Sequence, residues 1–278
     1  MKKFWKTANF RLKAGLIITG IFMIIGFIIY LFPHTDPFTF NTYPNNLGAS
    51  GAHWLGTTSM GQDVVWLLIE AIHNSLLIGL IVATIGTVVG VLVGLLAGFA
   101  GGALDRVLMI VTDTFVVIPS LPILIMMTSL MKGGATVIVM ALVLAMFAWA
   151  WPSRQIRSMA LTIKERDFIH TARFSGESTM QIVVTEILPF ALSWSLSNFM
   201  NATLSAIGSE SSLAVLGLSP GNLVSLGNMI QWARNYNAVL AGRWLWIGAP
   251  IVATVILFIG LFLLITGYND YQAMKRGR

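Results

Sequence analysis

The chain contains no cysteine, and only 10% of its 278 residues are charged. The first absence excludes disulfide frameworks, thiolate catalysis and Cys-based metal centres. The second excludes a water-exposed surface of the usual kind, because a soluble domain carries about 25% charged residues. Acidic residues are scarce as well, 11 against 17 Lys and Arg. The basic residues sit in short clusters between apolar runs, the loop bias of a membrane protein rather than a nucleic-acid footprint, so nucleic acid is not an expected partner. Catalytic signatures are missing too. Lys132-Gly133-Gly134 lacks the spacing and the following Ser or Thr of a phosphate loop, and neither a His-Glu-x-x-His helix nor a Gly-x-Ser-x-Gly elbow occurs. The chain is therefore not expected to be an enzyme or to hydrolyse ATP. What it has in abundance is apolar surface: 56% hydrophobic residues and a mean hydropathy of +0.80.

A spanning helix needs about 20 apolar residues. Six runs qualify: 14–32, one within 74–104, 114–131, 133–153, 187–208 and 244–267. Two other uncharged stretches, 37–62 and 211–233, are rich in Pro, Asn, Gly and Ser and read as extramembrane loops, since irregular backbone cannot face lipid. With both termini in the cytoplasm, 14 of the 17 basic residues fall on the cytoplasmic side, and only Lys132, Arg234 and Arg243 lie outside. The first run is too long for a signal peptide, and Tyr30-Leu31-Phe32-Pro33 offers no small-residue cleavage site, so it reads as a retained helix. The expected protein is an all-α membrane protein of six transmembrane helices. A cytoplasmic segment 1–13 precedes the first helix, and an extracytoplasmic loop 33–73 follows it. A core 74–267 carries the remaining five helices, a cytoplasmic loop 154–186 and an outer loop 209–243. A cytoplasmic tail 268–278 ends the chain.

Several spans carry local features. Gly86, Gly90, Gly94 and Gly98, with Gly79 seven residues earlier, form a small-residue stripe suited to close helix approach, either moving or static. Pro119-Ser120-Leu121-Pro122 predicts a kink, a hinge or a fixed bend. Asp113, at the inner edge of that span, is read as one half of an ion pair at the membrane boundary. Ser193, Ser197, Asn201 and Ser205, with Asn198 beside them and Glu210 just beyond the outer end, form a polar stripe. It reads as the wall of a path for a neutral polar solute or as interhelical hydrogen bonding. Trp149, Trp151, Trp244 and Trp246 fit an aromatic belt. His53, Asp63, Glu70 and His73 gather in the outer loop; a metal site is conceivable there, but solvated polar residues are the simpler reading.

The longest cytoplasmic connection, 154–186, mixes Arg154, Arg157, Lys164, Arg166 and Arg173 with four acids and apolar Phe168, Ile169, Ala172 and Met180. It reads as two short amphipathic helices joined by a sharp turn at Gly176, a knob suited to docking a soluble partner.

Here the sequence resembles a known family. Residues Ile169-His170-Thr171-Ala172-Arg173-Phe174-Ser175-Gly176, followed by Ile187-Leu188-Pro189, resemble the E-A-A-x-x-x-G … I-x-L-P loop of ABC importer permeases. The run from His53 to Val64 is similar to the H-x-L-G-T-D-x-x-G-R-D-V signature of the dipeptide/oligopeptide/nickel group. The resemblance implies the type I permease fold in a prokaryotic inner membrane, the second permease of its kind in a heterodimer with a homologous one. It also implies two cytoplasmic ATPase subunits that hold ATP and Mg, with no cofactor on this chain, and an extracytoplasmic solute-binding protein. His170, Thr171, Ala172, Arg173 and Gly176 would then contact the ATPase, and Ser197, Asn198, Asn201, Ser205 and Glu210 would line the path. Departures are His170 and Thr171 for Glu and Ala, Phe190 for Asn, Thr58 for Asp, Gln62 for Arg, and Ser225-Leu226-Gly227 for S-W-G. The altered outer loop is similar to members that carry oligosaccharides, so oligopeptides and short oligosaccharides are both expected substrates, with nickel less so. A channel or secondary transporter working alone is the competing reading.

Overall fold

The computed structural model describes residues 8–32, 36–130 and 136–276. The basic residues Lys2, Lys3, Lys6, Lys132 and Arg278, together with Pro33 and the expected turn between the third and fourth spans, lie outside the described residues.

Among the described residues, four helices are long and apolar enough to cross a bilayer singly, and two bent helix pairs qualify together, which makes six spans. Helix α1 (Phe10–Phe27) begins at Asn9, whose side chain accepts from the Leu12 N–H at 2.8 Å. Helix α2 (Val64–Ala100) is the long post of the molecule. It starts ten residues earlier than the charge-to-charge reading of the sequence suggested, because Asp63 caps the N–H groups of Val65 and Trp66. Gly101 and Gly102 both have positive φ and reverse the chain into α3 (Gly102–Val117).

The third span is broken rather than kinked. Ile118 is extended, as a residue before proline prefers, and α4 (Ser120–Leu130) leaves at 78° to α3. The fourth span bends by 41° between α5 (Val137–Ala148) and α6 (Ala150–Lys164). Pro152 is the cause: it has no N–H to give the Ala148 carbonyl and its ring crowds that oxygen. Helix α6 carries Arg154 and Arg157, so the cytoplasmic loop of the sequence reading begins as a continuation of the span.

Helix α7 (Asp167–Phe174) ends in a Schellman turn: Gly176, at φ +86°, donates to Arg173 and Glu177 donates to the Ala172 carbonyl. Ser178 caps α8 (Thr179–Ile182), which passes through a wide π turn at Val183–Ile187 into α9 (Leu188–Val215). Pro189 explains the widened turn, since it removes the donor that a regular helix requires there. Glu210 therefore lies inside α9, not beyond its end. After a second Schellman turn at Gly217, Ser225 caps α10 (Leu226–Asn235), and α11 (Trp244–Arg276) returns to the side of the N-terminus.

Three apolar clusters lie along α2. The outer one joins α1, α2, α10 and α11 around Leu67, Leu76 and Trp246. The middle one joins α2, α4, α5 and α9 around Ile78, Met140 and Leu213. The cytoplasmic one joins α2, α6, α7 and α9 around Ile156, Ile169 and Ile187. Helix α1 docks on α11 through glycine at both ends: Gly15 lies against the Leu264 backbone and Gly267 against the Leu12 backbone. Arg11 and Asp270 pair at 3.3 Å beside them, so both helix ends share one face of the membrane.

The glycine stripe on α2 forms its seam with the bent α5–α6 pair. A Cβ on Gly86, Gly90, Gly94 or Gly98 would lie 2.6–2.8 Å from Ala148, Pro152, Ser153 or Ala160. Gly79 belongs to another contact, facing Ile207 and Thr203 of α9. Two ion pairs brace the cytoplasmic end of this seam. Asp113 meets Arg154 at 2.5 Å with both side chains largely exposed. Asp105 holds Arg157 through two hydrogen bonds, at 2.5 and 2.7 Å, in a more buried setting. A bidentate pair that is partly desolvated outweighs an exposed one. Arg157→Gln is expected to lower the melting midpoint of the solubilised protein by the equivalent of about 1–3 kcal/mol. Arg154→Gln should cost clearly less in the same thermal melt.

Candidate functional site

A cavity of about 230 Å³ opens among α2, α4, α5, α6 and α9 in the middle of the bundle. Its polar wall comes from α9: Asn198, Asn201, Ser205 and Ser209, faced by Ser120 of α4. Those four positions of α9 are three or four residues apart and share one helical face. Asn198 is buried and donates to the Thr87 hydroxyl at 3.3 Å, which fixes its amide. Asn201 and Ser205 are exposed and present free polar edges to the opening. The apolar wall includes Val82, Leu144 and Phe147, and Trp151 closes it with its ring 5.8 Å from that of Trp194. Among the described residues, no charged side chain lines the cavity.

The structure divides the path residues expected from sequence. Asn198, Asn201 and Ser205 come together in the cavity. Ser197 does not: its hydroxyl donates to Asn269 of α11 at 2.6 Å. The reason is helical pitch, because residues spaced by four advance 40° beyond a full turn at each step, so the stripe winds from one neighbour to the next. Glu210 is also outside the cavity. It is fully buried and accepts from Ser225 at 2.7 Å and Ser219 at 3.4 Å, tying the loop after α9 to the start of α10. The sequence reading missed Ser209, one turn beyond Ser205, and Ser120, which was visible only as part of a proline kink. Trp151 was assigned to the membrane interface and instead lines the cavity. Trp246 also departs from the aromatic belt, being only 1% exposed, whereas Trp244 is exposed as a belt residue should be.

The second grouping is at the cytoplasmic end. Helix α7 has two unlike faces. Ile169 and Ala172 are buried in the cytoplasmic cluster, while His170, Thr171 and Arg173 are exposed and Phe174 is 92% exposed. Burying Ala172 and Ile169 anchors the helix to α2, α6 and the π turn. Arg173 and Lys164 both stand over the Phe99 ring, at 5.9 and 5.4 Å, which holds α7 to the end of α2. Gly176 is exposed, and its positive φ makes the turn. Phe174 was quoted within the motif but its exposure had no sequence signal.

The outer-loop quartet is dispersed. His53 Nδ1 lies 2.6 Å from the Asp63 carboxylate, both largely buried, so these two are structural rather than solvated. His73 Nδ1 donates to the Gly26 carbonyl at 2.7 Å and its ring stacks on Tyr30. Glu70 accepts from Asn74 at 3.0 Å. Among the described residues, no three His, Asp or Glu side chains are grouped as a metal site.

Comparison with known proteins agrees with this architecture. The oligopeptide transport system permease protein OppC of Mycobacterium tuberculosis is 31% identical over 225 residues, covering 79% of this chain and 77% of that protein. The nickel transport system permease protein NikC of Escherichia coli K12 is 25% identical over 260 residues, covering 92% of each. Among solved structures, a chain of the inward-facing MetNI methionine ABC transporter superposes with a TM-score of 0.57 over 75% of this chain and 96% of its own length, at 21% identity. The family described as binding-protein-dependent transport system inner membrane component matches residues 90–276, from the glycine seam to the end of α11. The chain therefore belongs to that family, the multi-pass inner-membrane permease subunits of ABC importers.

Proposed function

We propose that this permease lines half of a translocation path for oligopeptides and is driven through α7 by a cytoplasmic ATPase. One observation carries the reading: a helix anchored on one face by Ile169 and Ala172 offers His170, Thr171 and a 92% exposed Phe174 to the cytoplasm. A large aromatic side chain left in water beside charged neighbours is the usual centre of a protein contact. A homologous second permease supplies the other half of the path, two ATPase subunits bind ATP and Mg, and a solute-binding protein delivers the substrate. Closure of the ATPases would push α7, and the rigid α2–α6 seam behind it would rock the bundle.

The substrate assignment rests on the cavity wall. Amides and hydroxyls without charge suit a net-neutral chain of peptide groups. They suit a bare nickel ion poorly, since divalent transition metals of that kind favour imidazole ligands and none lines the cavity among the described residues. The test is uptake into vesicles containing this chain with its partner permease, ATPases and solute-binding protein. A neutral tripeptide is expected to enter with ATP, and Asn201→Leu should cut its uptake by about tenfold, equivalent to losing one or two polar contacts. Accumulation of a short oligosaccharide in place of the peptide would reassign the substrate. Uptake by this chain without ATPases would overturn the importer mechanism in favour of a stand-alone transporter.

A further inference from the structure

A second cavity, of about 220 Å³, opens at the outer end of the bundle, where the first outer loop meets the start of α11. Leu47, Leu55 and Thr57 form one wall, and Arg243, Leu245 and Trp246 belong to the other. The polar groups of the loop wall are already engaged. The Thr57 hydroxyl donates to the Pro44 carbonyl at 2.7 Å and accepts from the Leu47 N–H at 2.8 Å. The α11 wall is different. Trp246 is 1% exposed, and its indole N–H is buried without an acceptor among the described residues. Arg243 is half-buried, and its Nε–H is buried and equally unpartnered. Among the described residues, no carboxylate lines the cavity to balance that guanidinium.

Arg243 immediately precedes the first turn of a 33-residue helix, and Trp246 belongs to that turn. The N–H groups of a first turn have no intrahelical acceptor and carry the positive end of the helix dipole. A guanidinium, an indole N–H and helix-terminal amides are all donors. What they lack together is a negatively charged group with several acceptor oxygens. The setting narrows the choice. Trp244 is 63% exposed and Leu245 47% exposed at the outer start of a span, which marks the level of the lipid headgroups. Leu47, Leu55 and Leu245 offer apolar surface for the root of an acyl chain beside the donors.

We propose that Arg243, Trp246 and the first turn of α11 form a phosphate-binding site that takes the headgroup of a phospholipid in the outer leaflet. The inference is independent of the substrate and of ATPase coupling. It also accounts for Arg243 standing among the few basic residues on the outer side.

The test uses the full-length chain in detergent, titrated with phosphatidylglycerol and read by native mass spectrometry. Arg243→Gln is expected to weaken retention of bound phospholipid by about tenfold or more, the loss of one charge-assisted contact. Trp246→Phe, which removes only the N–H donor, should weaken it less, and Arg234→Gln, at an exposed arginine on the same side, should not. In a second arm, delipidated protein is titrated with inorganic phosphate and followed by tryptophan fluorescence. A phosphate response lost in Arg243→Gln, with no difference in lipid retention, supports the oxyanion site and overturns the lipid as its source. Equal lipid retention by the wild type and both cavity variants, with no phosphate response, overturns the site. Should Arg243→Gln melt early, Trp246→Phe decides between these outcomes.

Discussion

Gly94→Leu is expected to abolish recovery of folded permease. A Cβ at Gly94 would already lie 2.6 Å from the Ser153 carbonyl oxygen and 2.7 Å from the Ile156 Cβ, inside contact distance for any real side chain. Alanine alone should therefore force α2 away from α6, at about 1–3 kcal/mol for an overpacked contact. Leucine adds three more carbons at the same point, and rotamer changes cannot clear it, because the nearest atoms are a backbone carbonyl oxygen and a Cβ fixed to the backbone of α6. Lipid does not squeeze helices together as water does, so a seam held by close packing has little else to keep it closed. Size-exclusion profiles of the solubilised protein would report the loss, and melting midpoints would grade the Ala variants of Gly86, Gly90, Gly94 and Gly98. Gly20→Leu serves as control, since nothing lies within 4 Å of a Cβ at that position. A well-folded Gly94→Leu protein would mean that the seam is loose, and that the glycines permit motion rather than contact.

Phe174→Asp is expected to stop transport while leaving the permease intact. The ring is 92% exposed in the isolated chain, so little packing is lost in making the change. If Phe174 is the anchor of the ATPase contact, placing a carboxylate there removes a buried aromatic and inserts an unpaired charge, a change of about 2–4 kcal/mol or more at a protein interface. Uptake into reconstituted vesicles should fall by at least about thirtyfold, together with co-purification of the ATPase. Ala172→Asp should fail differently. It points into the cytoplasmic cluster at 9% exposure, so it should lower the melting midpoint before it affects docking. Normal uptake by Phe174→Asp would remove α7 as the coupling element.

These two predictions mark how far the sequence could be read. The glycine stripe was visible as a repeat of four, but its partner was not, because a contact between Gly94 and Ile156 joins residues distant in the chain. The motif around Ala172 and Gly176 located α7, and its Schellman turn follows from glycine at a position of positive φ. Which side of α7 faces outward depended on where α2 and α6 stand. The cavity was half legible: Asn198, Asn201 and Ser205 were in the stripe, whereas Ser197 and Glu210 were drawn to Asn269 and Ser225 by neighbours that no local pattern names.

By itself the sequence determined the solvent and the number of spans, because hydropathy acts locally and needs no partner; the placement of Lys and Arg predicts their direction. The sequence also announced the break at Pro119, since proline alters the backbone wherever it occurs, whereas the reversal at Gly101-Gly102 and the bend at Pro152 emerged only in the structure. Tertiary structure alone decided the angles at those breaks, the pairing of Asp105 with Arg157, and which polar side chains meet in one cavity. Those depend on how distant helices fit against each other. In a bilayer that fit is set by which distant backbone each small residue meets and by how polar groups are satisfied, and neither is written in the local sequence.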